Sequence, residues 1–383
     1  MTHPASPLLN HCPETLPSHA YFDPAWYERE RKAIWARNWI YVGRLSDIAP
    51  GTIRRVAIAG ENLILCRTSE GSVTAFHNVC RHRGAELCSE AEKLWNGKLI
   101  LCPYHAWAYD AGGKLRSTAF ATPTPDFKRE DHDLFPVALR EWNGFIYLCL
   151  SDNPPEFTPD IGVAALDNWP MADLVTGHVL EKELACNWKV FWENYNECLH
   201  CPGIHPELSD MVPVYRKGIM SLEEDQDWMP GKRGGPALKN GAVSWTMTGE
   251  PCGPEFPNLT HEQRAAAYTF VTLYPTMFVV AHVDYVRAVS LVPTGPETTL
   301  LRAEWLFLPE TIAQPGFDLA AVTDFATMVL LQDGAAAELN QRGIKSSRYE
   351  HGTLMPQEFD IYRFNRWVLD QLADETGKEG EKP

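Results

Sequence analysis

The sequence CRHRG occupies residues 80–84, and CPYHAW occupies residues 102–107. Each stretch carries one cysteine and one histidine, and nineteen residues (83–101) separate the first histidine from the second cysteine. The two stretches supply four candidate metal ligands: Cys80, His82, Cys102 and His105. Two thiolates on one iron and two imidazoles on the other are the ligands of a histidine-containing [2Fe–2S] cluster. The pattern therefore predicts a one-electron redox centre held by two loops.

A zinc site is the alternative for the same four side chains, because zinc also accepts two cysteines and two histidines. Zinc fingers, however, place like ligands together, as Cys-x2–4-Cys and His-x3–5-His. Here each loop supplies one ligand of each type, which suits a dinuclear cluster in which each loop contacts both irons. Gly84 permits close backbone approach, and Pro103 fixes a tight loop. We therefore interpret the four residues as ligands of a Rieske [2Fe–2S] cluster.

Composition limits the class of protein. The chain has 383 residues, 45% of them hydrophobic and 22% charged, which is enough for two domains with ordinary cores. A formal net charge of −16 argues against nucleic acid as a partner. No apolar run approaches the length of a membrane span, and residues 1–17 lack the features of a signal peptide. We expect a cytoplasmic protein with no membrane partner.

Ten cysteines in a chain of this length are not a disulfide-dense pattern. We therefore expect the cysteines outside the two loops to be reduced thiols. Cys198 and Cys201 form a Cys-x-x-Cys pair, and a redox-active dithiol remains an alternative for them.

Residue patterns divide the chain into three predicted parts. Residues 23–39 predict a helix, with Asp23 as its cap and Pro24 in its first turn. Short β runs separated by glycine and aspartate follow up to about residue 150, for example at 39–42, 53–58, 62–66, 73–76, 99–102 and 145–150, and predict an all-β domain. Prolines at 154–159 mark a boundary. The predicted parts are an N-terminal helical segment, a cluster domain and a second domain: 1–38, 39–153 and 154–383.

The second domain mixes strands and helices. Strands are predicted at 176–184, 268–273, 277–282, 285–292 and 298–308, and helices at about 320–343 and 356–375. A further helix begins at Asn187, a suitable N-cap. The predicted fold class is therefore α+β.

The segment that follows Asn187 carries a second candidate metal site. His200 and His205 are five residues apart, which would separate them by about 140° around a continuous helix. Pro202-Gly203 predicts a helix break that brings the two imidazoles together. Two histidines and one distant carboxylate form the facial triad of non-haem Fe(II) oxygenases, which leaves coordination positions open. The alternative is a pair of partly buried histidines with no ligand role.

Together the two sites resemble the oxygenase (α) subunit of Rieske non-haem iron oxygenases. The likeness covers roughly residues 21–372, and 187–205 is similar to the Asn-Trp-Lys…Glu-Asn…acid-x-x-His-x4-His signature of that family. It implies an N-terminal all-β Rieske domain and a C-terminal antiparallel-sheet catalytic domain with helices, of the helix-grip kind. It also implies that Cys80, His82, Cys102 and His105 bind the [2Fe–2S] cluster. A mononuclear Fe(II) would be bound by His200 and His205.

The resemblance also implies two carboxylate roles. Asp333 stands eight residues before Gln341, like the acid of the family's Glu-Asp…Gln-Arg-Gly spacing, and would be the third iron ligand. Because Gln332 replaces the usual glutamate, Glu338 remains the alternative ligand. Glu197, three residues before His200, occupies the position of the acid that links the cluster and the iron of neighbouring subunits. The alternative for Glu197 is a solvated charge on a helix face.

The family implies partners as well. From the resemblance we expect a homotrimer or larger assembly and a reaction with O2. We also expect a separate NAD(P)H-dependent reductase, with or without a ferredoxin, because no flavin or nicotinamide motif is visible in the sequence. Segments 16–21, 193–198 and 274–275 resemble the members that act on carnitine, glycine betaine and choline. A quaternary ammonium group is best held by aromatic faces. The candidate wall residues are Tyr195, Trp245, Tyr268, Tyr274, Phe278, Tyr285 and Trp305, of which we expect two or three to line a pocket.

Two alternatives remain for the function. An oxygenase acting on an aromatic acid would need an arginine anchor between residues 206 and 290, because arginine matches a carboxylate bidentately. A pure Rieske electron carrier would need no second iron, so the 187–205 segment and Asp333 argue against it.

Overall fold

The computed structural model describes residues 7–95, 97–157, 166–225 and 237–376. The chain divides into two units, one formed by Arg31–Phe157 and the other by Met1–Glu30 together with Thr158–Pro383. The first unit is mainly strands, and the second combines one sheet with helices, which confirms the predicted α+β class. The predicted domain limits after residues 38 and 153 remain a prediction.

Three antiparallel sheets form the 31–157 unit, which begins with a π-helical segment, Arg31–Trp35. Its strands are β1 (Ile40–Arg44), β2 (Thr52–Ile58), β3 (Glu61–Arg67), β4 (Val73–His77), β5 (Glu92–Leu94), β6 (Leu99–Leu101), β7 (Ala108–Asp110), β8 (Leu115–Ser117), β9 (Ala138–Trp142) and β10 (Phe145–Cys149). The sheet orders are β1-β10-β9, β4-β3-β2-β5 and β6-β7-β8.

The turn between β7 and β8 shows how local chemistry shapes this unit. Asp110 Oδ1 accepts hydrogen bonds from the N–H groups of Gly112 and Lys114, both at 2.9 Å. Gly113 has a φ of +82°, and a Cβ there would lie 2.4 Å from the Phe76 ring. Only glycine fits both the left-handed backbone and this close approach. The turn joins two strands of the small sheet that flanks the second candidate cluster loop on both sides.

One five-stranded antiparallel sheet forms the centre of the other unit, in the order β11-β15-β14-β13-β12. Its strands are β11 (Val175–Leu184), β12 (Tyr268–Leu273), β13 (Met277–His282), β14 (Val286–Gly295) and β15 (Thr298–Phe307). The α-helices of this unit are α1 (Pro24–Glu30), α2 (Trp188–Tyr195), α3 (Cys201–Ile204), α4 (Pro206–Met211), α5 (His261–Ala266), α6 (Pro309–Ile312), α7 (Leu319–Ile344) and α8 (Phe359–Thr376). Within the described ranges, no helix is both long and apolar enough to cross a bilayer.

Helix α7 is fixed against the start of α2 by a short set of hydrogen bonds. Gln341 Oε1 accepts from the Asn187 N–H at 3.0 Å, and Gln341 Nε2 donates to the Tyr21 carbonyl at 3.1 Å. Asn187 caps α2, because its side chain accepts from the Lys189 N–H. Gly334 lets α7 approach β11 closely, since a Cβ there would lie 2.7 Å from the Leu184 side chain. These contacts set the position of α7 relative to α2.

A buried ion pair joins α2 to α1. Lys189 Nζ lies 2.6 Å from Glu30 Oε1, and both side chains are fully buried. Lys189 also donates to Asn187 Oδ1 at 2.8 Å, and Trp188 Nε1 donates to Glu30 Oε2 at 2.9 Å. Burial lowers the pKa of Lys189, although the charge of Glu30 opposes that effect. Each charge therefore depends on the other to remain buried.

Lys189→Met should lower the free energy of unfolding by about 3–5 kcal/mol, because it leaves the Glu30 carboxylate buried without its cation. Chemical unfolding followed by circular dichroism measures the change. Lys345→Met is the matched control, because Lys345 is half exposed where it pairs with Glu297 and should contribute about 1 kcal/mol or less. Equal stability of the two variants would contradict this account of the ion pair.

Candidate active site

Two similar loops, 80–84 and 102–107, carry the four predicted cluster ligands; we call them the cluster loops. In each, the N–H four residues after the cysteine donates to the cysteine carbonyl. Gly84 donates to Cys80 at 3.0 Å, and Ala106 donates to Cys102 at 3.1 Å. Gly84 and Ala106 both have positive φ, 76° and 55°. The cluster loops therefore repeat one backbone turn.

The cluster loops separate thiols from imidazoles. Cys80 and Cys102 are 2% and 3% exposed, whereas His82 is exposed and His105 is partly exposed. The two histidine rings lie 4.8 Å apart between centroids. The cysteine pair therefore lies toward the core of this unit, and the histidine pair lies toward its surface.

The histidines fit a cluster in their hydrogen bonding as well as in their placement. His105 Nδ1 is buried and has no hydrogen-bond partner among the described residues. A buried nitrogen without a partner is costly, and ligation of a metal through its lone pair removes that cost. Desolvation, with the nearby His105 and Arg83, lowers the pKa of His82 and favours the neutral imidazole that metals require. These residues fit the ligand set of a Rieske [2Fe–2S] cluster.

Tyr109 hydrogen bonds to one of the candidate thiolates. Its hydroxyl lies 3.2 Å from Cys80 Sγ and accepts from the Arg81 N–H at 3.1 Å. Because the oxygen accepts from the backbone, its own hydrogen can be donated to the sulfur. Tyr109 is fully buried, so this bond is shielded from water.

Tyr109→Phe should make the reduction potential of the cluster more negative by about 20–60 mV. A hydrogen bond to sulfur stabilises the more negative reduced cluster, and one such bond contributes about 0.5–1.5 kcal/mol, with about 59 mV per tenfold change for one electron. Spectroelectrochemical titration measures the shift. Tyr104→Phe removes an exposed hydroxyl from the 102–107 cluster loop and should leave the potential unchanged. Equal potentials in the two variants would contradict the assignment.

His200 and His205 meet at the end of α2, but the chain turns at a different residue from the one predicted. Helix α2 ends at Tyr195, and Pro202 and Gly203 lie within the short helix α3. The turn falls on His205 itself, with φ −120° and ψ 66°. Proline is tolerated in the first turn of a helix, so Pro202 lies in the first turn of α3 instead of breaking the helix. The two imidazole centroids lie 5.1 Å apart.

Asp333 of α7 completes a compact group with these histidines. Its Oδ1 lies 2.8 Å from His205 Nε2 and 3.4 Å from His200 Nε2. One ligand atom from each of the three residues lies within 4.8 Å of the others. We call them the candidate iron triad, because two imidazoles and one carboxylate are the donors of a mononuclear Fe(II) site. Glu338, the alternative ligand, instead accepts a hydrogen bond from the Ala185 N–H at 3.0 Å.

Opposite charges dominate the electrostatics of the candidate iron triad. Burial alone would lower the pKa of His200, but Asp333 and Glu197 outweigh it and raise that pKa to about 9. Burial alone would raise the pKa of Asp333, but the two histidines outweigh it and lower that pKa. A divalent cation must displace the histidine protons, so metal affinity rises with pH.

Family comparisons agree with these two sites. Residues 38–128 match the Rieske [2Fe-2S] domain, and residues 171–374 match the ring hydroxylating alpha subunit (catalytic domain). The chain belongs to the Rieske ring-hydroxylating oxygenase α-subunit family. It is therefore an iron-dependent oxygenase with a Rieske [2Fe–2S] cluster and a mononuclear iron, and the predicted family, enzyme class and cofactors are confirmed.

Similar members of this Rieske oxygenase family are known from sequence. The chain is 31% identical to the glycine betaine monooxygenase oxygenase subunit of Chromohalobacter salexigens over 404 residues, covering 95% of this chain and 87% of that protein. It is 30% identical to the carnitine monooxygenase oxygenase subunit of Acinetobacter pittii over 344 residues, covering 88% and 86%.

Solved structures share the fold. A quaternary ammonium Rieske monooxygenase in complex with L-carnitine matches with a TM-score of 0.69 at 22% identity, covering 94% of this chain and 96% of that one. Naphthalene 1,2-dioxygenase from Rhodococcus sp. bound to indole matches with a TM-score of 0.68 at 17% identity, covering 94% of each chain. At these identities the likeness establishes the Rieske oxygenase fold alone.

In this Rieske oxygenase, polar side chains hold the outer nitrogens of both triad histidines. His205 Nδ1 lies 2.8 Å from Gln332 Oε1, and His200 Nδ1 lies 2.5 Å from Glu197 Oε1. Both Nε2 atoms are thereby directed toward Asp333, the usual effect of such partners on a ligand imidazole. Gln332 stands where the family usually has a glutamate, and its neutral amide contacts His205.

Glu197 does not lie on the predicted helix face, because α2 ends before it. Its other oxygen accepts from the backbone N–H groups of Leu199 and His200. The side chain is 12% exposed. Glu197 is therefore an ordered hydrogen-bond acceptor, in contrast to a freely solvated charge.

A pocket of about 570 Å³, counted to its open mouth, adjoins the candidate iron triad of the oxygenase. Six phenylalanine, tyrosine and tryptophan side chains line it: Phe191, Tyr195, Tyr215, Trp245, Phe270 and Phe278. We call the last five of these residues the aromatic box. Three of the six were among the predicted wall residues, as many as expected; the residues that sequence reasoning missed are Phe191, Tyr215 and Phe270.

Two of the missed residues, Phe270 and Tyr215, differ in whether the sequence indicated their place beside the pocket. Phe270 lies two residues after Tyr268, a predicted wall residue, in the predicted strand β12. Period-two alternation therefore indicates that both side chains lie on the same face of the sheet. Tyr215 lies in the 3-10 turn Pro213–Lys217, inside a stretch without regular periodicity. No sequence signal places that turn beside the candidate iron triad.

Cys198 and Cys201, which we expected to be free thiols, are joined by a disulfide with their Cα atoms 4.9 Å apart. The disulfide joins the residue directly after Glu197 to the residue directly after His200. Both cysteines line the same pocket. Apart from the predicted cluster ligands Cys80 and Cys102, the other six cysteines are free thiols, in agreement with the expectation for them.

Proposed function

We propose that this chain is the terminal oxygenase component that hydroxylates a quaternary ammonium or N-methyl compound, leading to N-demethylation or C–N cleavage. The observation that carries the proposal is the aromatic box beside the candidate iron triad. A quaternary ammonium group cannot donate hydrogen bonds, so aromatic faces are its main source of recognition. Similar proteins named for glycine betaine, carnitine and choline support this substrate class.

The rings of the aromatic box are arranged as connected walls. Tyr195 stacks on Phe278 with centroids 4.0 Å apart. Trp245 meets Phe270 edge-on at 6.1 Å and Tyr215 edge-on at 6.3 Å. Cation–π attraction to such faces is worth roughly 0.5–2 kcal/mol once water is excluded. The box can therefore hold a methylated ammonium group while keeping its N-methyl carbons in apolar surroundings.

Each predicted site residue has a role in this proposal. The cluster binds through Cys80, His82, Cys102 and His105, and the mononuclear iron binds through His200, His205 and Asp333. When bound, these groups supply single electrons and open coordination positions for O2. Gln332 and Glu197 orient the imidazoles through their outer nitrogens. Glu197 also provides the link to the cluster of a neighbouring subunit in a homotrimer.

The reaction consumes O2, two electrons and two protons, places one oxygen atom on the substrate and releases the other as water. Hydroxylation of an N-methyl carbon of the quaternary ammonium gives an N-hydroxymethyl cation, whose C–N bond breaks to give the demethylated amine, formaldehyde and a proton. Hydroxylation of another carbon beside nitrogen cleaves that C–N bond instead. The apolar walls of the pocket favour hydroxylation, because they exclude bulk water from the reacting carbon.

We also propose the remaining features of the system: domains at 39–153 and 154–383 with an N-terminal segment at 1–38, a cytoplasmic location, and a separate NAD(P)H-dependent reductase with or without a ferredoxin. The names of similar proteins as oxygenase subunits support a multi-component enzyme. The absence of a flavin or nicotinamide motif in the sequence points the same way.

Hydroxylation of an aromatic acid is the second candidate. It is favoured by one observation: Arg287, within the range where we expected an anchor for such an acid, lines the pocket. Arginine binds planar carboxylates bidentately. The aromatic box, however, has no role as a cation site in that reaction.

Reductant-dependent O2 uptake with a surrogate reductase tests the proposal. Glycine betaine, carnitine or choline should stimulate uptake and release formaldehyde or a C–N cleavage product in proportion to O2. Benzoate and salicylate should give no coupled product. Coupled product from the aromatic acids alone would overturn the substrate class and leave the family assignment intact.

A further inference from the structure

We propose that Arg287 binds the carboxylate of a zwitterionic substrate, so that the pocket selects betaines, which carry a quaternary ammonium and a carboxylate in one small molecule. This inference rests on the proposed function and narrows its substrate class. The proposed site distinguishes betaines from choline-like alcohols, which lack the carboxylate, and from aromatic acids, which lack the quaternary ammonium.

Arg287 lies on β14, opposite Val280 of β13 and Trp305 of β15. Its side chain is only 5% exposed and lines the pocket together with Asp333. Among the described residues of the pocket wall, it is the one arginine or lysine. The sheet therefore carries a single fixed cation into the space beside the candidate iron triad.

This cation has no partner among the residues that the structure describes. Arg287 makes no hydrogen bond or ion pair with them, and its Nε atom is buried and unsatisfied. Lys189, the other deeply buried cation of this region, is by contrast paired with Glu30 at 2.6 Å. A buried cation without a counter-ion is costly, so its retention calls for an anion from outside the chain.

Asp333 does not serve as that anion. Its carboxylate is engaged by His205 at 2.8 Å and by His200 at 3.4 Å, the donors of the candidate iron triad. Burial lowers the pKa of Arg287, and the neighbouring Tyr285, Tyr195 and Asp333 oppose that effect. Once a divalent cation shares the Asp333 carboxylate, the pocket wall has excess positive charge. A substrate carboxylate complements that charge and matches the guanidinium fork.

The aromatic box and Arg287 are close enough for one short molecule to reach both. Phe270 pairs with Val280, and Val280 pairs with Arg287, so the three residues form one row across β12, β13 and β14. Two strand spacings separate the ends of this row by about 10 Å at the backbone. The side chains extend from the same face of the sheet. A zwitterion can therefore contact both groups from within one pocket.

Selection against choline follows from the same contact. A hydroxyl in place of the carboxylate leaves the buried guanidinium without its anion, and sites built around a buried polar partner strongly reject analogues that lack it. An aromatic acid satisfies Arg287 but leaves the aromatic box without a cation. Only a molecule with both charges satisfies both groups.

Calorimetric binding to the reduced, iron-loaded enzyme without O2 tests the inference independently of turnover. The wild-type enzyme should bind glycine betaine at least roughly 30-fold more tightly than choline, and Arg287→Met should lose roughly 30-fold or more in betaine affinity. Choline affinity should stay equal or rise. The melting temperature of Arg287→Met should match or exceed that of the wild type, because no native partner is lost. Arg366→Met, an exposed position on α8, is the control and should change neither affinity.

The outcomes separate the two levels of the proposal. Equal binding of glycine betaine and choline by the wild type, or unchanged betaine affinity in Arg287→Met, overturns the role of Arg287 and leaves a quaternary ammonium oxygenase. Binding of benzoate with no binding of either quaternary compound overturns the substrate class as well. If Arg287→Met does not fold, Arg287 is structural and the inference is wrong. The wild-type comparison of the two compounds decides selectivity without any variant.

Discussion

Asp333→Ala should remove the mononuclear iron and stop turnover while leaving the Rieske absorption spectrum unchanged. Asp333 supplies the only carboxylate of the candidate iron triad, whose ligand atoms lie within 4.8 Å of one another. Loss of an outer hydrogen-bonding partner alone costs about 10- to 100-fold at metal sites, so loss of a ligand should cost roughly two orders of magnitude or more. Metal analysis and the visible spectrum, recorded on the same preparation, measure the two centres separately.

Glu338→Ala is the matched control, because it removes a carboxylate from the same helix. Glu338 accepts from the Ala185 N–H and does not contact the triad histidines. Glu338→Ala should therefore keep its iron and its turnover. Retained iron in Asp333→Ala together with lost iron in Glu338→Ala would reverse the ligand assignment.

Glu197→Gln should leave both metal centres bound and still slow coupled turnover by about 10- to 100-fold or more. The amide keeps an oxygen that can accept from the Leu199 and His200 N–H groups. It removes the negative charge that lies 2.5 Å from His200 Nδ1. Stopped-flow reoxidation of the reduced cluster by substrate and O2 measures the step that the link should control.

Glu207→Gln is the control for this experiment, since Glu207 is an exposed acid on α4 beside the same turn. Its reoxidation rate should equal that of the wild type. Wild-type reoxidation in Glu197→Gln would remove Glu197 from the electron-transfer path and leave it a local hydrogen-bonding role.

Local sequence chemistry predicted the strands and loops well where neighbouring residues decide them. Strands β12 and β13 begin and end at the predicted residues, because their apolar runs are bounded by clear turns. The three-residue strands β5, β7 and β8 were not predicted, since such short elements depend on pairing with neighbours. The helix expected over 23–39 is instead the α-helix Pro24–Glu30 followed by the π-helical segment Arg31–Trp35.

In the candidate site, too, the sequence predicted features that neighbouring residues decide and missed features that depend on contacts between distant residues. The proximity of His200 and His205 was predicted correctly, although the turn falls on His205 instead of Pro202-Gly203. Asp333 lies 128 residues from His205 along the chain, so only the family resemblance could suggest it from the sequence. The unpartnered state of Arg287 depends on the packing of several elements and has no local signature in the sequence.

The most direct test of the account is an iron-edge anomalous difference map of crystals of the iron-loaded enzyme, grown without O2 in the presence of glycine betaine. The account predicts one iron on the candidate iron triad, a pair of irons between the two cluster loops, and the quaternary nitrogen within about 6 Å of the ring faces of the aromatic box. An iron held by Glu338 in place of Asp333, or glycine betaine bound outside the aromatic box, would contradict it.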